Sequence, residues 1–179
     1  ISLGLVGSEM CIRDRIDVLV SADGSSRLLM IKNKGGSSFE TPQEILSSSD
    51  FSLPIYDFDG GDIDGDGDID VVLATDSNIS LIENNLNGQF NPMVSLYNNP
   101  NGTPYRVKIA DMNGDKKADI ISSIDRSNNG FQNQNVVLIS STTSPLSYTN
   151  PIYFSSGNLI SYFDTCLLYT SDAADDRLS

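Results

Sequence analysis

"GDIDGDGDID", Gly61 to Asp70, sets an aspartate at every second position, Asp62, Asp64, Asp66, Asp68 and Asp70, within ten residues. Unit charges a few Å apart repel by roughly 1 kcal/mol in water and by more where they are shielded from it. Such a stretch either stays extended in solvent or folds around a cation. The flank decides between the two: Val71-Val72-Leu73-Ala74 follows at once, an apolar, β-branched run of the buried-strand type. The acidic loop is therefore tied to a packed element and is not a solvated tail.

Outward from this loop the chain repeats itself. "IDVLVSADGSSRLLMIKNKGGSSFETPQEIL" begins at Ile16, "IDVVLATDSNISLIENNLNGQFNPMVSL" at Ile69 and "ADIISSIDRSNNGFQNQNVVLISSTTSPLSYTNPIYF" at Ala118. Asp17, Asp70 and Asp119 stand at equivalent positions, 53 and 49 residues apart, close to the roughly 40 to 50 residues of a propeller blade. In each unit an apolar strand follows the aspartate (Val18–Val20, Val71–Ala74, Ile120–Ile121), then a polar turn and a second strand (Leu28–Ile31, Ile79–Ile82, Val136–Ile139). A loop of Asn, Gly and Ser around an aromatic comes next, then a short outer strand near Ile45, Val94 or Ile152. A fourth strand, "LPIYDF", "PYRVKI" or "LISYF", leads to the next acidic loop. Turn signals at every junction and the lack of sustained helical periodicity predict an all-β, antiparallel fold. Phe39, Phe90 and Tyr148 are expected to fill the core between neighbouring sheets.

The two complete loops align residue for residue: "DIDGDGDID" from Asp62 stands over "DMNGDKKAD" from Asp111, with oxygen side chains at positions 1, 3, 5 and 9. Ca²⁺ takes about six to eight oxygen ligands. A tight loop turns alternate side chains inward, a backbone carbonyl at position 7 adds another, and glycine at position 4, Gly65 or Gly114, permits the turn. The first site is expected to use Asp62, Asp64, Asp66 and Asp70 with the carbonyl of Asp68. The second is expected to use Asp111, Asn113, Asp115 and Asp119 with the carbonyl of Lys117. Four carboxylates against three, with Lys116 and Lys117 nearby, predict tighter binding at the first loop. The helix-loop-helix calcium hand fails on both counts: position 12 is Leu73 or Ser122 where it needs Glu, and strands flank the loop where it needs helices. Asp17 and Asp164 belong to incomplete loops and are expected to bind no metal. Asp57 and Asp59, just before the first loop, read as polar strand-end residues.

Composition narrows the function classes. A net charge of −13 argues against nucleic-acid and anionic-membrane partners, and no apolar run approaches the roughly 20 residues of a membrane-spanning helix. There is no histidine, which removes the usual general base and the usual zinc ligand together. The clustered acids all occupy metal-ligand positions, leaving none in an apolar pocket for acid catalysis, so no enzymatic activity is expected.

The termini read differently. "LVGSEMCIRDR", Leu5 to Arg15, and "CLLYTSDAADD", Cys166 to Asp176, resemble translated adapters of transposase-based sequencing libraries. Their codons can be read so as to contain AGATGTGTATAAGAGACA in the first and TGTCTCTTATACACATCT in the second, which are reverse complements of each other, as inverted insert ends are. A signal peptide beginning at Leu3–Val6 with a Cys11–Cys166 disulfide is the alternative. Residues 1–15 and 166–179 are set aside as non-native, and 16–165 are taken as repeats, with blade units starting near 16, 69 and 118.

The pattern D-x-D/N-G-D-x-x-x-D before an apolar strand, repeated at this spacing around an Asn/Gly/Phe loop, resembles the FG-GAP or VCBS repeat family over nearly all of residues 16–165. That resemblance implies a fragment of a β-propeller of the integrin α-chain type, about two to three four-stranded antiparallel blades with inter-strand calcium loops. It also implies a secreted, cell-surface or periplasmic protein in which structural Ca²⁺ supports adhesion or interaction with a protein or glycan. The alternative function is a calcium-dependent carbohydrate-binding module, or an accessory propeller of a polysaccharide-degrading enzyme. For glycan contact, Tyr97 and Tyr105 are the candidate aromatics, with core or rim packing as their plainer role.

Overall fold

The structure, a computed structural model, describes residues 2–6, 17–21, 26–47, 53–85, 89–98, 102–125, 135–139 and 152–155. Both cysteines, Tyr148, the strand expected near "LISYF", Asp164 and most of the adapter-like termini lie outside the described residues. Within them every element is a strand and none is a helix.

Three antiparallel sheets of four strands carry the chain. The first joins β1 (Ser2–Val6), β2 (Asp17–Ser21), β3 (Leu28–Ile31) and β6 (Gln43–Leu46) in that order. The second is built from β7 (Ile55–Gly61), β8 (Asp70–Thr75), β9 (Asn78–Ile82) and β12 (Val94–Asn98), with β8 and β9 central. The third follows the same plan with β13 (Thr103–Ala110), β14 (Asp119–Asp125), β15 (Asn135–Ile139) and β16 (Ile152–Ser155). Two small ribbons, β4 (Asn33–Gly35) with β5 (Ser38–Phe39) and β10 (Asn84–Asn85) with β11 (Gln89–Phe90), decorate the first and second units.

The strands fall where the apolar runs predict them, but the sheets are one strand out of phase with the sequence repeat. The strand ahead of each acidic loop closes a hairpin with the strand behind it: Gly61 pairs with Asp70 and Ala110 with Asp119. Each acidic loop thus lies inside one sheet, and a blade begins at β7 or β13 rather than at the aspartate. In the first sheet β1 takes this place, with Val6 opposite Asp17, so Ser2–Val6, in the segment set aside on sequence grounds, is its edge strand.

The sheets stack face to face. All six residues of β8 are buried, and the period of two along a strand sends them to two different cores. Val71 and Leu73 face the first sheet and pack with Leu19, Leu28 and Phe58. Val72 and Ala74 face the third and pack with Val107, Ile120 and Ile124. A strand apolar on both faces is the signature of a sheet covered on both sides, which explains the unbroken run after Asp70. The result is an open, propeller-like array of blades that does not close into a ring among the described residues.

The aromatic expectation needs correction. Phe90 packs against the core between the first two sheets, whereas Phe39 is 51% exposed. Phe39 sits in the two-residue strand β5, whose ribbon stands outside the four-stranded sheet.

Candidate metal centre

The hairpin from β7 to β8 is assembled around its own carboxylates. Asp62 accepts the N–H groups of Gly65 at 2.8 Å and Gly67 at 3.1 Å. Asp64 Oδ1 accepts from Asp66, and Asp66 Oδ1 from Asp68. Asp70 closes the circuit through Ile63 N–H at 2.9 Å. A shift of 49 residues reproduces all five bonds in the β13–β14 hairpin. Asp111 accepts from Gly114 and Lys116, Asn113 from Asp115, Asp115 from Lys117, and Asp119 from Met112. The short side chains of Asp and Asn suit this role because they bond main-chain N–H groups a few residues away. Left-handed backbone makes the turn possible: Gly65 has φ 83° and Gly67 92°, matched by Gly114 at 82° and Lys116 at 65°.

Shared scaffold does not mean equal sites. In the first loop carboxylate oxygens of Asp62, Asp64 and Asp70 lie within 4.8 Å of one another. Asp66, expected as the position-5 ligand, is not in that group; its side chain is exposed and holds the Asp68 N–H. Asp68 is expected to contribute its carbonyl alone. Among the described residues no second group of three gathers, so Asp111, Asp115 and Asp119 are not brought together in this way, and Asn113 stands where Asp64 does. The loops also differ in anchorage. Ile63 is buried in the core between the second and third sheets, while its counterpart Met112 is 44% exposed.

Electrostatics separates the two loops further. Asp70, like its counterpart Asp119, has no exposed surface; burial drives the Asp70 carboxyl up to about 6, against the N–H groups of Asn84 and Ile63 and with repulsion from Asp64 and Asp66 adding to the rise. Asp64 is also raised, first by burial and then by Asp66, Glu83 and Asp62, with the Asp66 N–H opposing. For Asp111 burial again raises, but N–H groups of Lys116, Gly114, Asn113 and Asp115 outweigh it and the net direction is down. The first loop holds negative charge that its own N–H groups do not fully compensate. The raised Asp70 also overturns the expectation that no acid here sits where burial lifts its pKa. Both of its oxygens are taken by main-chain N–H groups, of Ile63 and Asn84, so it is held as an acceptor.

The donor set is all oxygen, which suits a hard cation such as Ca²⁺ or Mg²⁺ and not a soft one. One residue near it escaped sequence reasoning. Asn84, whose N–H donates to Asp70 Oδ1 at 2.8 Å, buries a side-chain oxygen with no hydrogen-bond partner among the described residues. The first repeat carries the same link, Asn33 N–H to Asp17 Oδ1 at 2.7 Å. An asparagine two residues past the second apolar strand in the first and second units, Asn33 and Asn84, is the signal that could have found it; the third unit has Ser141 there. Of the candidate aromatics, Tyr97 is half-buried, packs on the core and bonds Tyr153 through its hydroxyl at 2.6 Å. Tyr105 is 41% exposed, its ring 5.1 Å from that of Tyr56.

Residues 62–122 match the family model of the FG-GAP-like repeat. That span takes in both acidic loops and everything between them, so this stretch is an FG-GAP-like repeat. Comparison with curated proteins and comparison with solved structures return no match.

Proposed function

We propose that the chain is a calcium-binding repeat segment of a β-propeller, and that its ions are structural. The observation that carries this reading is the meeting of three carboxylates, one fully buried, at the mouth of a hairpin whose flanking strand forms the centre of the fold. A divalent ion there cancels like-charge repulsion, and its binding free energy adds to that of folding. Asp62, Asp64 and Asp70 hold the ion, with Asp66 and the Asp68 carbonyl closing on it. The second loop, Asp111 to Asp119, binds more weakly because its charge is lower and its carboxylates do not gather as those of Asp62, Asp64 and Asp70 do among the described residues.

Rigid loops at one end of stacked sheets suit a scaffold that presents a surface to an extracellular protein or glycan. The same demand for calcium suits a secreted, cell-surface or periplasmic location. No catalytic step is assigned: Asp62, Asp64, Asp66, Asp70, Asp111, Asp115 and Asp119 all accept main-chain N–H groups. If the partner is a glycan, Tyr105 is the better stacking candidate, since Tyr97 is tied down.

The test is calorimetric titration of calcium into the folded chain, with Asp62→Ala and Asp111→Ala as separate variants. Loss of the tighter binding event in the first and of the weaker event in the second is expected. Absence of binding heat, with melting curves that coincide in calcium and in EDTA, rejects the reading.

A further inference from the structure

β7 and β13 form the edges of the second and third sheets and run side by side in the same direction, residue 57 meeting 107 and residue 59 meeting 109. An open strand edge is a ready template for pairing with another chain. This one is covered. Asp57 Oδ2 accepts the Val107 N–H at 3.1 Å, and Asp59 Oδ2 accepts the Ile109 N–H at 2.9 Å. The other oxygens face Arg106 Nη1 at 3.7 Å and Lys108 Nζ at 3.9 Å. These are not the polar strand-end residues that the sequence suggested, for both lie inside β7.

The repeat makes the pairing specific. The shift of 49 residues that lays Asp62 on Asp111 also lays Asp57 on Arg106 and Asp59 on Lys108, giving the same positions opposite charge. An acidic edge therefore faces a basic one, with the main-chain donors of β13 between them. Gly61 continues the close approach: a Cβ there would stand 2.9 Å from Ile109 Cγ2. On the other side of β7 the equivalent positions of β1 are Ser2 and Gly4, which carry no carboxylate. Apolar burial is non-directional, so the core alone does not dictate the stagger of these edges. Two acceptors spaced at the strand period do, because a slip of one residue turns every donor the wrong way.

We propose that Asp57 and Asp59 are a clasp that seats the third sheet on the second by capping the N–H edge of β13. The partner that β7 fits is thus a strand edge with alternate basic residues, supplied here by the chain itself.

Amide exchange of the full chain, read residue by residue by NMR in excess calcium, tests this. Asp57→Ala is expected to speed exchange at Val107, and Asp59→Ala at Ile109, each by about 10- to 100-fold, the scale of a hydrogen bond to a charged acceptor. Amides of β8 and β9 keep their protection. Asp57→Asn with Asp59→Asn keeps an acceptor oxygen at each site and should fall between wild type and the alanine variants. Should an alanine variant fail to fold, the asparagine pair still decides. The clasp is overturned if Val107 and Ile109 exchange at wild-type rates without the carboxylates. It is equally overturned if the asparagine pair loses protection uniformly across β8, β9 and β13.

Discussion

Asp70 gives the sharpest test of the proposed calcium site, because a proton and a cation would compete for it there with opposite effects. Its carboxyl moves from an ordinary 3.8 to about 6 in the fold, chiefly through burial. A native state with the raised pKa binds the proton more firmly than the unfolded chain does. The stabilisation this brings is complete below about 3.8 and is lost as the pH rises through about 6. At 1.36 kcal/mol per unit, that gap amounts to on the order of 3 kcal/mol. Ion-free protein should therefore lose stability on going from about pH 4 to about pH 7. Calcium needs the ionised carboxylate, so its stabilising effect should be largest near neutrality. Its affinity should fall roughly tenfold per pH unit below about pH 6, as one proton is displaced for each ion bound. Urea unfolding across this range, in EDTA and in excess calcium, reads both arms. Asp70→Asn cannot titrate and supplies the reference. Asp57 and Asp64, raised in the same direction, remain in both proteins, so the difference between the two curves belongs to Asp70. Identical pH slopes for wild type and Asp70→Asn in EDTA, or a calcium effect as large at pH 5 as at pH 7, would refute the reasoning.

Three further outcomes follow from the geometry. Lys116 holds φ 65° where the first loop has Gly67, so Lys116→Gly should stabilise the ion-free protein by about 1 kcal/mol in thermal or urea unfolding, and Gly67→Ala should cost a similar amount. Leu73→Ala, at a position with no exposed surface in the core between the first two sheets, should cost about 2 to 5 kcal/mol in urea unfolding; Tyr105→Ala, at a 41% exposed site, should cost far less. Gly61→Ala forces a Cβ to within 2.9 Å of Ile109 Cγ2 and should destabilise by about 1 to 3 kcal/mol. Pairing it with Ile109→Ala should recover part of that loss, which a double-mutant cycle measures.

What the sequence disclosed and what it hid divide along a physical line. Strand positions were legible because a β-branched run such as Val71-Val72-Leu73 reports its own burial, and the loops were legible because their side chains bond their own backbone a few residues away. Both are local facts. The partner of each strand is not local: "LPIYDF" looks like the last piece of one unit, and hydrogen bonds to Asp70–Thr75 make it the first piece of the next sheet. Asp57 and Asp59 were misread for the same reason, since the donors they serve lie 50 residues away. Phe39 carries the residue type of a core position, yet the ribbon that bears it stands clear of the sheet. The gathering of Asp62, Asp64 and Asp70 without Asp66 could not be read from alternation, which treats all five aspartates alike.

The geometry of the two loops also explains why near-identical motifs should respond differently to a cation. Both are shaped by the same five main-chain bonds. In the second loop Asp111 is exposed, and its net shift is downward. Asp70 and its counterpart Asp119 are both fully buried, but only in the first loop does the neighbouring residue, Ile63, pin the turn into the core, and only there are three carboxylates drawn together among the described residues. On the proposed function, affinity at the first loop should arise from anchorage as much as from ligand count, since a site already held in shape loses less freedom when an ion arrives. Ile63→Ala should then weaken calcium binding at the first loop while leaving every ligand in place. Met112→Ala, at the exposed counterpart, should leave the second loop's affinity unchanged in the same titration. Equal effects of the two substitutions would show that charge alone ranks the sites.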